Sequence, residues 1–386
     1  MSHPLRGSIA IVGAAESDLG QCPPGTTPQD LMAQATRRAL DDCGLQLGDI
    51  DAVFTATTQL PFPAISLCDY LGLRPRYVDG SNLGGASFLS HVQHAMGAIE
   101  AGLCEVALIA YGSNQRSLGR SKAAPQEISA YETFYKPRFP VNAYAMAAAR
   151  HMHEYGTTRE QLAEVAVAAR KWAQRNPKAW DREALSIEQV LASPMVSHPL
   201  TLRDCCLVTD GGGALIVTSA RRAAAEDLRR KAVYVLGCAD AVSHRHISGM
   251  HDLTRSSAVE SGRAAYAMAG LSVQDVDVAE LYDAFTICTI LFLEDLGFCA
   301  KGEGGAFVAG GAIAPGGRLA VNTNGGGLSY CHPGMYGLLL LIEGVRQLRG
   351  EGGERQVGGA EVALVHGNGG VLSCESTVLL GTAATL

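Results

Sequence analysis

At 386 residues, with 47% hydrophobic and 18% charged side chains, the chain exceeds the roughly 250 to 300 residues at which one core stops growing. Two closely packed halves are expected. A net charge of −7 without a dominant Lys/Arg block excludes an electrostatic footprint for nucleic acid. The eleven cysteines are scattered and form no Cys-x-x-Cys pair, which excludes a zinc ribbon and points to reduced thiols and no metal.

The first apolar piece, Ile9-Ala-Ile-Val12, is too short for a signal core and reads as a buried strand. An amphipathic helix follows from Pro28 to Cys43, and Gly84 to Gly102 has small and apolar residues all round, as burial on every side demands. From about Asn114 to Leu200 the chain becomes richer in charge, Tyr and Pro, with helix-like stretches at Val141 to Tyr155 and Thr158 to Asn176. Val233-Tyr-Val-Leu236 resumes the strand pattern. Leu338-Leu-Leu-Leu-Leu-Ile342 is far below the ~20 residues needed to span a bilayer. A soluble, cytoplasmic protein with no membrane segment is expected.

Gly44-Leu-Gln-Leu-Gly-Asp-Ile-Asp51 recurs as Gly270-Leu-Ser-Val-Gln-Asp-Val-Asp277, and Glu105-Val-Ala-Leu-Ile109 as Glu361-Val-Ala-Leu-Val365. Order is kept across both pairs, which marks a duplicated α/β unit. Helices alternating with fully apolar strands imply sheets covered on both faces.

Three motifs of the second copy carry chemistry. Asn322 to Gly337 is a glycine-rich turn that delivers His332, with Pro333 suited to the first turn of a helix. Tyr282-Asp-Ala-Phe285 precedes it and His366-Gly-Asn-Gly-Gly370 follows it. In order and separation these resemble the Asn-Glu-Ala-Phe, Gly-His-Pro and Cys-x-Gly-Gly blocks of the thiolase superfamily. The resemblance implies a thiolase-like five-layered α-β-α-β-α fold built from two duplicated halves, residues 1–225 and 226–386. A loop domain at about 114–200 belongs to the first. One helix of each copy is buried between the sheets: Gly84 to Gly102, and a counterpart starting at Pro333.

By the same resemblance, the thiolase nucleophilic cysteine falls on Gly85, and the second, acid/base cysteine on Asn368. Ser87 is the nearest hydroxyl and reads as a helix-start serine. Cys331 stands in the glycine of Gly-His-Pro and is an alternative thiol. His332 is retained, and Tyr282 replaces the Asn that helps bind the thioester oxygen; a phenol there can donate a hydrogen bond, or act as acid/base if its pKa is lowered. His332, Tyr282, Tyr330 and Asn368 are therefore the catalytic candidates, with Gly85, Ser87, Gly369 and Gly370 lining the substrate and oxyanion region. Thiolase loop domains meet coenzyme A, which makes Arg116, Arg120, Lys136 and Arg138 candidates for its diphosphate.

Gly84-Gly-Ala-Ser87, Tyr282-Asp-Ala-Phe285 and Gln347-Leu-Arg-Gly350 further resemble the lipid-transfer-protein-like aldolases of steroid side-chain degradation, which lack the cysteine. Retro-aldol cleavage of a β-hydroxyacyl-CoA is thereby implied, with the coenzyme A thioester as substrate and no cofactor. So are a homodimer paired along a sheet edge near Gly80 to Asn82 and a small zinc-ribbon/OB-fold partner subunit. Two alternatives stand beside it: thiolase-type acyl transfer or retro-Claisen cleavage of a β-ketoacyl-CoA, and a non-catalytic lipid-binding or scaffold subunit.

Overall fold

The computed structural model describes residues 3–119, 129–224, 228 and 232–386. The first copy runs β1 (Ile9–Glu16), α1 (Pro28–Cys43), β2 (Ala52–Thr55), α2 (Pro63–Leu71), β3 (Tyr77–Asp79), α3 (Ser87–Glu100) and β4 (Val106–Ser113). An insertion carrying α4 (Val141–Tyr155), α5 (Arg159–Gln174) and a small pair, β5 (Met195–Ser197) and β6 (Leu200–Thr201), precedes β7 (Gly211–Ser219). The second copy runs β8 (Val233–Val242), α6 (Ala258–Ala269), β9 (Val278–Leu281), α7 (Thr286–Asp295), β10 (Ala320–Val321), α8 (Gly337–Arg349), β11 (Val362–Gly369) and β12 (Cys374–Gly381). The 225/226 boundary lies outside the described residues.

Outward from a central seam, the strand order is β1-β7-β4-β2-β3 on one side and β8-β12-β11-β9-β10 on the other, so the two copies share one topology. At the seam β1 and β8 pair antiparallel through Ala10 with Tyr234 and Ile11 with Val233. Helices α3 and α8 touch each other and strands of both halves, while α1 and α6 cover the outer faces. This is the five-layered arrangement, with its core between the half-sheets.

The recurrent sequence has a mechanical cause in both copies. Gly44 ends α1 and Gly270 ends α6 in the left-handed conformation, at φ +79° and +64°. Asp51 then accepts the Glu105 and Val106 amides, and Asp277 accepts those of Glu361 and Val362, each fixing the start of the neighbouring parallel strand. Helices α1 and α4 match their expected ranges, and α5 begins after the capping Thr158. The expectation of a buried helix from Pro333 needs correction: α8 begins at Gly337, and Pro333 lies in irregular backbone.

Among the described residues, no helix is long and apolar enough to cross a membrane. None of the eleven cysteines is in a disulfide.

Candidate active site

Strands β9 and β11 run parallel, with Leu281 beside His366. Their carboxyl ends are where open α/β sheets gather functional groups, and Tyr282 and Asn368 both emerge there. Tyr282 is anchored at once, since its N–H donates to the His366 carbonyl at 3.1 Å. Its phenol is buried and doubly engaged: the O–H donates to the Gly334 carbonyl at 3.1 Å, and the oxygen accepts the Tyr336 N–H at 3.0 Å. Tyr111, at the end of β4, does the same one residue earlier, donating to the Pro333 carbonyl at 2.6 Å and accepting from Met335 N–H at 3.0 Å. Two phenols thus hold successive peptide groups of the 333–336 segment in a non-helical path, which is why Pro333 does not start a helix.

His332 enters this segment with its own N–H donating to Thr209 Oγ1 at 2.9 Å. Its ring meets Tyr282 edge-on, with centroids 5.7 Å apart, and stacks on Tyr336 at 5.9 Å. Imidazole and phenol therefore share one buried space, as the motifs imply. Burial pushes the Tyr282 phenol well above the ordinary phenol range. It remains protonated near neutral pH and is a hydrogen-bond donor; the acid/base role that a lowered pKa would permit is not what this environment supplies.

Gly85 explains itself against Tyr282. A Cβ at this position would fall on the Tyr282 ring and 2.6 Å from the phenol oxygen, so the phenol fills the space a nucleophilic side chain would need. Gly369 lets this turn approach, because a Cβ there would collide with the Leu83 carbonyl. A Cβ on Gly84 would lie 3.0 Å from the Gly370 nitrogen, and Gly370 itself turns at φ +66°. Ser87 Oγ donates to the Gly84 carbonyl at 2.7 Å and accepts the Leu83 N–H at 2.8 Å, so its hydroxyl is committed to the helix start. Cys331 is fully buried against Thr209 Oγ1 at 3.0 Å, and burial pushes its thiol up to about 12, which leaves no thiolate.

Three other positions are placed differently from one another. Asn368 Nδ2 donates to the Tyr144 hydroxyl at 2.8 Å, and its Oδ1 accepts the Leu372 N–H at 3.1 Å. Tyr330 turns away from Tyr282: its hydroxyl donates to Glu16 Oε1 at 2.8 Å, within an ion-paired cluster of Glu16, Arg346 and Lys178. Its catalytic candidacy is corrected accordingly, since a phenol held by a carboxylate on the β1 side is part of that cluster. His366 lies between Thr377 and Glu375, and burial lowers its imidazole to about 3.

Sequence reasoning passed over Asp283. Its Oδ1 accepts the Gly327 N–H at 2.6 Å and its Oδ2 the Leu328 N–H at 3.3 Å, steadying the turn that leads to His332. Burial pushes its carboxyl up to about 7. A Cβ on Gly326 would strike this carboxylate, which accounts for the glycine. The only signal available was adjacency to Tyr282. Tyr111 and Tyr144 carried no signal at all.

Of the coenzyme A candidates, Arg116 donates through Nη1 to the Val208 carbonyl at 3.0 Å and lies 4.9 Å over the Trp180 ring. Lys136 and Arg138 are exposed in the insertion, and Arg120 lies outside the described residues. Among the described residues no group of three or more His, Cys, Asp or Glu is placed to hold a metal ion.

A duplicated five-layered α/β architecture, with an imidazole and a phenol buried at the strand ends and a glycine, Gly85, packed against the phenol, defines a thiolase-type scaffold. Comparison with known proteins agrees. A family model described as thiolase C-terminal domain-like matches residues 239–382. The chain is 36% identical to the 17-hydroxy-3-oxo-4-pregnene-20-carboxyl-CoA lyase of Mycobacterium tuberculosis over 391 residues, covering 95% of this chain and 98% of that one. It is 34% identical to the acetyl-CoA acetyltransferase of Methanothermobacter thermautotrophicus over 383 residues, covering 94% and 96%. Among solved structures, the Ltp2-ChsH2(DUF35) aldolase superposes with a TM-score of 0.85 at 31% identity, covering 98% of each chain. The chain belongs to the thiolase superfamily.

Proposed function

We propose that this chain is an aldol-type carbon–carbon lyase that cleaves a β-hydroxyacyl-CoA thioester without a covalent acyl-enzyme. The observation that carries this reading is the mutual exclusion at position 85: the Tyr282 phenol occupies the volume of a nucleophile and presents a neutral donor beside His332. Tyr282 and His332 together are suited to bind a thioester oxygen as negative charge develops on it. Cleavage then removes the β-hydroxyl proton and breaks the Cα–Cβ bond. The bonding pair passes into an acyl-CoA enolate, the β-carbon leaves as a ketone or aldehyde, and the enolate takes a proton at Cα. In the structure the Tyr282 O–H rests on the Gly334 carbonyl, so ligand binding requires it to turn to the thioester oxygen while the Tyr336 N–H holds the phenol in place.

The substrate of the mycobacterial relative is a suitable probe, being a β-hydroxyacyl-CoA by its name. Retro-aldol cleavage of 17-hydroxy-3-oxo-4-pregnene-20-carboxyl-CoA should release a 17-ketone and propionyl-CoA in equal amounts, with no acyl group left on the protein. A stoichiometric acyl adduct on Cys331 or Cys374 by intact-mass analysis would sink this reading in favour of acyl transfer.

Two features of assembly belong to the same proposal. Strand β3 ends the sheet, and Val78, Phe62, Ile65 and Tyr70 beside it are 46%, 69%, 68% and 51% exposed; an open edge with apolar flanks suits pairing with a second copy. Light scattering should find a dimer, and an active dilute monomer would count against it. A small partner subunit, as in the aldolase complex that superposes, should co-purify from the native source. If purified chain alone has the full activity of the native preparation, no partner is needed.

A further inference from the structure

Five phenols surround the site, and four have their O–H engaged. Tyr111 donates to Pro333, Tyr282 to Gly334, Tyr330 to Glu16 and Tyr336 to Asn324 Oδ1 at 2.9 Å. Tyr144 differs. Its oxygen accepts from Asn368 Nδ2, and the Leu372 N–H on Asn368 Oδ1 fixes which end of the amide faces it. The Tyr144 hydrogen is therefore left as a donor, and among the described residues no acceptor takes it. The side chain is 2% exposed, and its ring lies 4.5 Å from that of Phe285, three residues after Tyr282. A buried donor without an acceptor is destabilising, and a ligand oxygen would relieve it.

We propose that Tyr144 is a second substrate-contacting donor, binding the β-oxygen of the acyl chain while Tyr282 and His332 bind the thioester oxygen; this rests on the aldolase reading above. A β-hydroxyacyl thioester presents two oxygens at its reacting carbons, and the β-oxygen becomes a ketone oxygen as the bond breaks. A neutral phenol whose oxygen is pinned by an amide can follow that oxygen throughout, and burial keeps Tyr144 protonated. Position 368 is then a holder of the phenol supplied by the insertion.

Two reactions of one protein separate this role from a structural one. Cleavage of 17-hydroxy-3-oxo-4-pregnene-20-carboxyl-CoA uses the β-oxygen; exchange of the α-hydrogens of propionyl-CoA with D2O requires only the enolate. The experiment uses the full chain with any subunit that co-purifies. Tyr144→Phe should lower cleavage by about 100-fold, the usual cost of one lost donor, and slow exchange by less than about 3-fold. Asn368→Asp, which would draw the Tyr144 O–H onto a carboxylate, should show the same split and provides a second variant if Tyr144→Phe folds poorly. Equal loss of both reactions in both variants, or unchanged cleavage in a folded Tyr144→Phe protein, overturns the assignment alone. Wild-type protein that exchanges without cleaving overturns the aldolase reading and this assignment with it.

Discussion

The two copies have the same strand order and nearly the same turn chemistry, yet at their matching strand ends only the second carries the phenol and amide of the proposed site, Tyr144 being supplied by the insertion in the first. Carrying the repeat through, Ala56 follows β2 where Tyr282 follows β9, and Gly112 lies on β4 where Asn368 lies on β11. A Cβ on Gly112 would collide with the Pro28 carbonyl at the start of α1, so no side chain fits there. The first copy gives the site space and backbone, through Gly84 and Gly85, and one clamp, Tyr111. Duplication here preserves the scaffold's strain-relieving positions in both halves and concentrates chemistry at one set of strand ends.

That asymmetry is tested most severely by removing the second copy's donors. Tyr282→Phe and His332→Ala should each lower turnover by about 10²- to 10³-fold, the usual loss for one oxyanion donor. Affinity for acyl-CoA should change little, and the double variant should lose less than the product of the two. A fully active Tyr282→Phe protein would reduce the phenol to a clamp on residues 334–336 and remove the chemical basis of the aldolase reading.

Position 85 sharpens the same contrast from the first copy. Gly85→Cys should lower cleavage to about the level of Tyr282→Phe, because its Cβ displaces the phenol, without forming an acyl-enzyme. Pairing it with Tyr282→Asn restores the volume, and only that double variant should accumulate an acylated cysteine detectable by mass. If the single variant is acylated, the two groups do not compete for one space.

How much of this was legible in the chain follows from where the causes lie. The duplication was readable because its signature is local: a left-handed glycine ends a helix, and an aspartate seven residues on, Asp51 after Gly44 and Asp277 after Gly270, caps the next strand. His332 and Tyr282 were readable through motif order. The path of residues 333–336 was not, because Tyr111 and Tyr282 impose it from far away in sequence and override the helical preference after Pro333. Tyr330 shares its short turn with glycines, and its direction is set by Glu16 at the other end of the chain. Tyr144 sits in the insertion, and only packing brings it to Asn368.

The seam beneath the site supplies the next largest effect. Burial alone would raise the Glu16 carboxyl, but the charges and hydrogen bonds of Arg346 and Lys178 outweigh it and hold it far below the carboxylate range. Arg346→Leu, which leaves a buried carboxylate against the Tyr330 hydroxyl, should destabilise the protein by about 3–5 kcal/mol. Lys178, 55% exposed, should contribute less than about 1 kcal/mol when changed to Met. Because the folded pKa is depressed, Glu16 stabilises the protein above the unfolded carboxyl value, and that stability is lost as pH falls toward the folded one. Chemical denaturation from about pH 6 down to about pH 2.5, a range that passes below the unfolded carboxyl value, should show the decline in wild type and a weaker one in Glu16→Gln. Equal slopes would place the acid sensitivity elsewhere.

The smallest expected difference compares the duplicated aspartates themselves. Both accept two strand amides, but Asp51 is half-buried and also meets Arg76 Nη2 at 2.6 Å, whereas Asp277 is exposed. Burial would raise the Asp51 carboxyl; the Val106 amide, Arg76 and the Glu105 amide outweigh it and lower the value. Asp51→Ala should therefore cost about 1–2 kcal/mol, in the range of a lost charged hydrogen-bonding group, and Asp277→Ala about half of that. The Asp51 contribution is present above the unfolded carboxyl pKa and disappears as pH falls through the lowered folded value, so the gap between the two variants should narrow in acid. Urea unfolding at pH 7 and at pH 3.5 measures both quantities. If Asp277→Ala is the more damaging at pH 7, strand capping matters more beside the reactive strand ends than burial does, and the two copies differ in stability for a reason other than exposure.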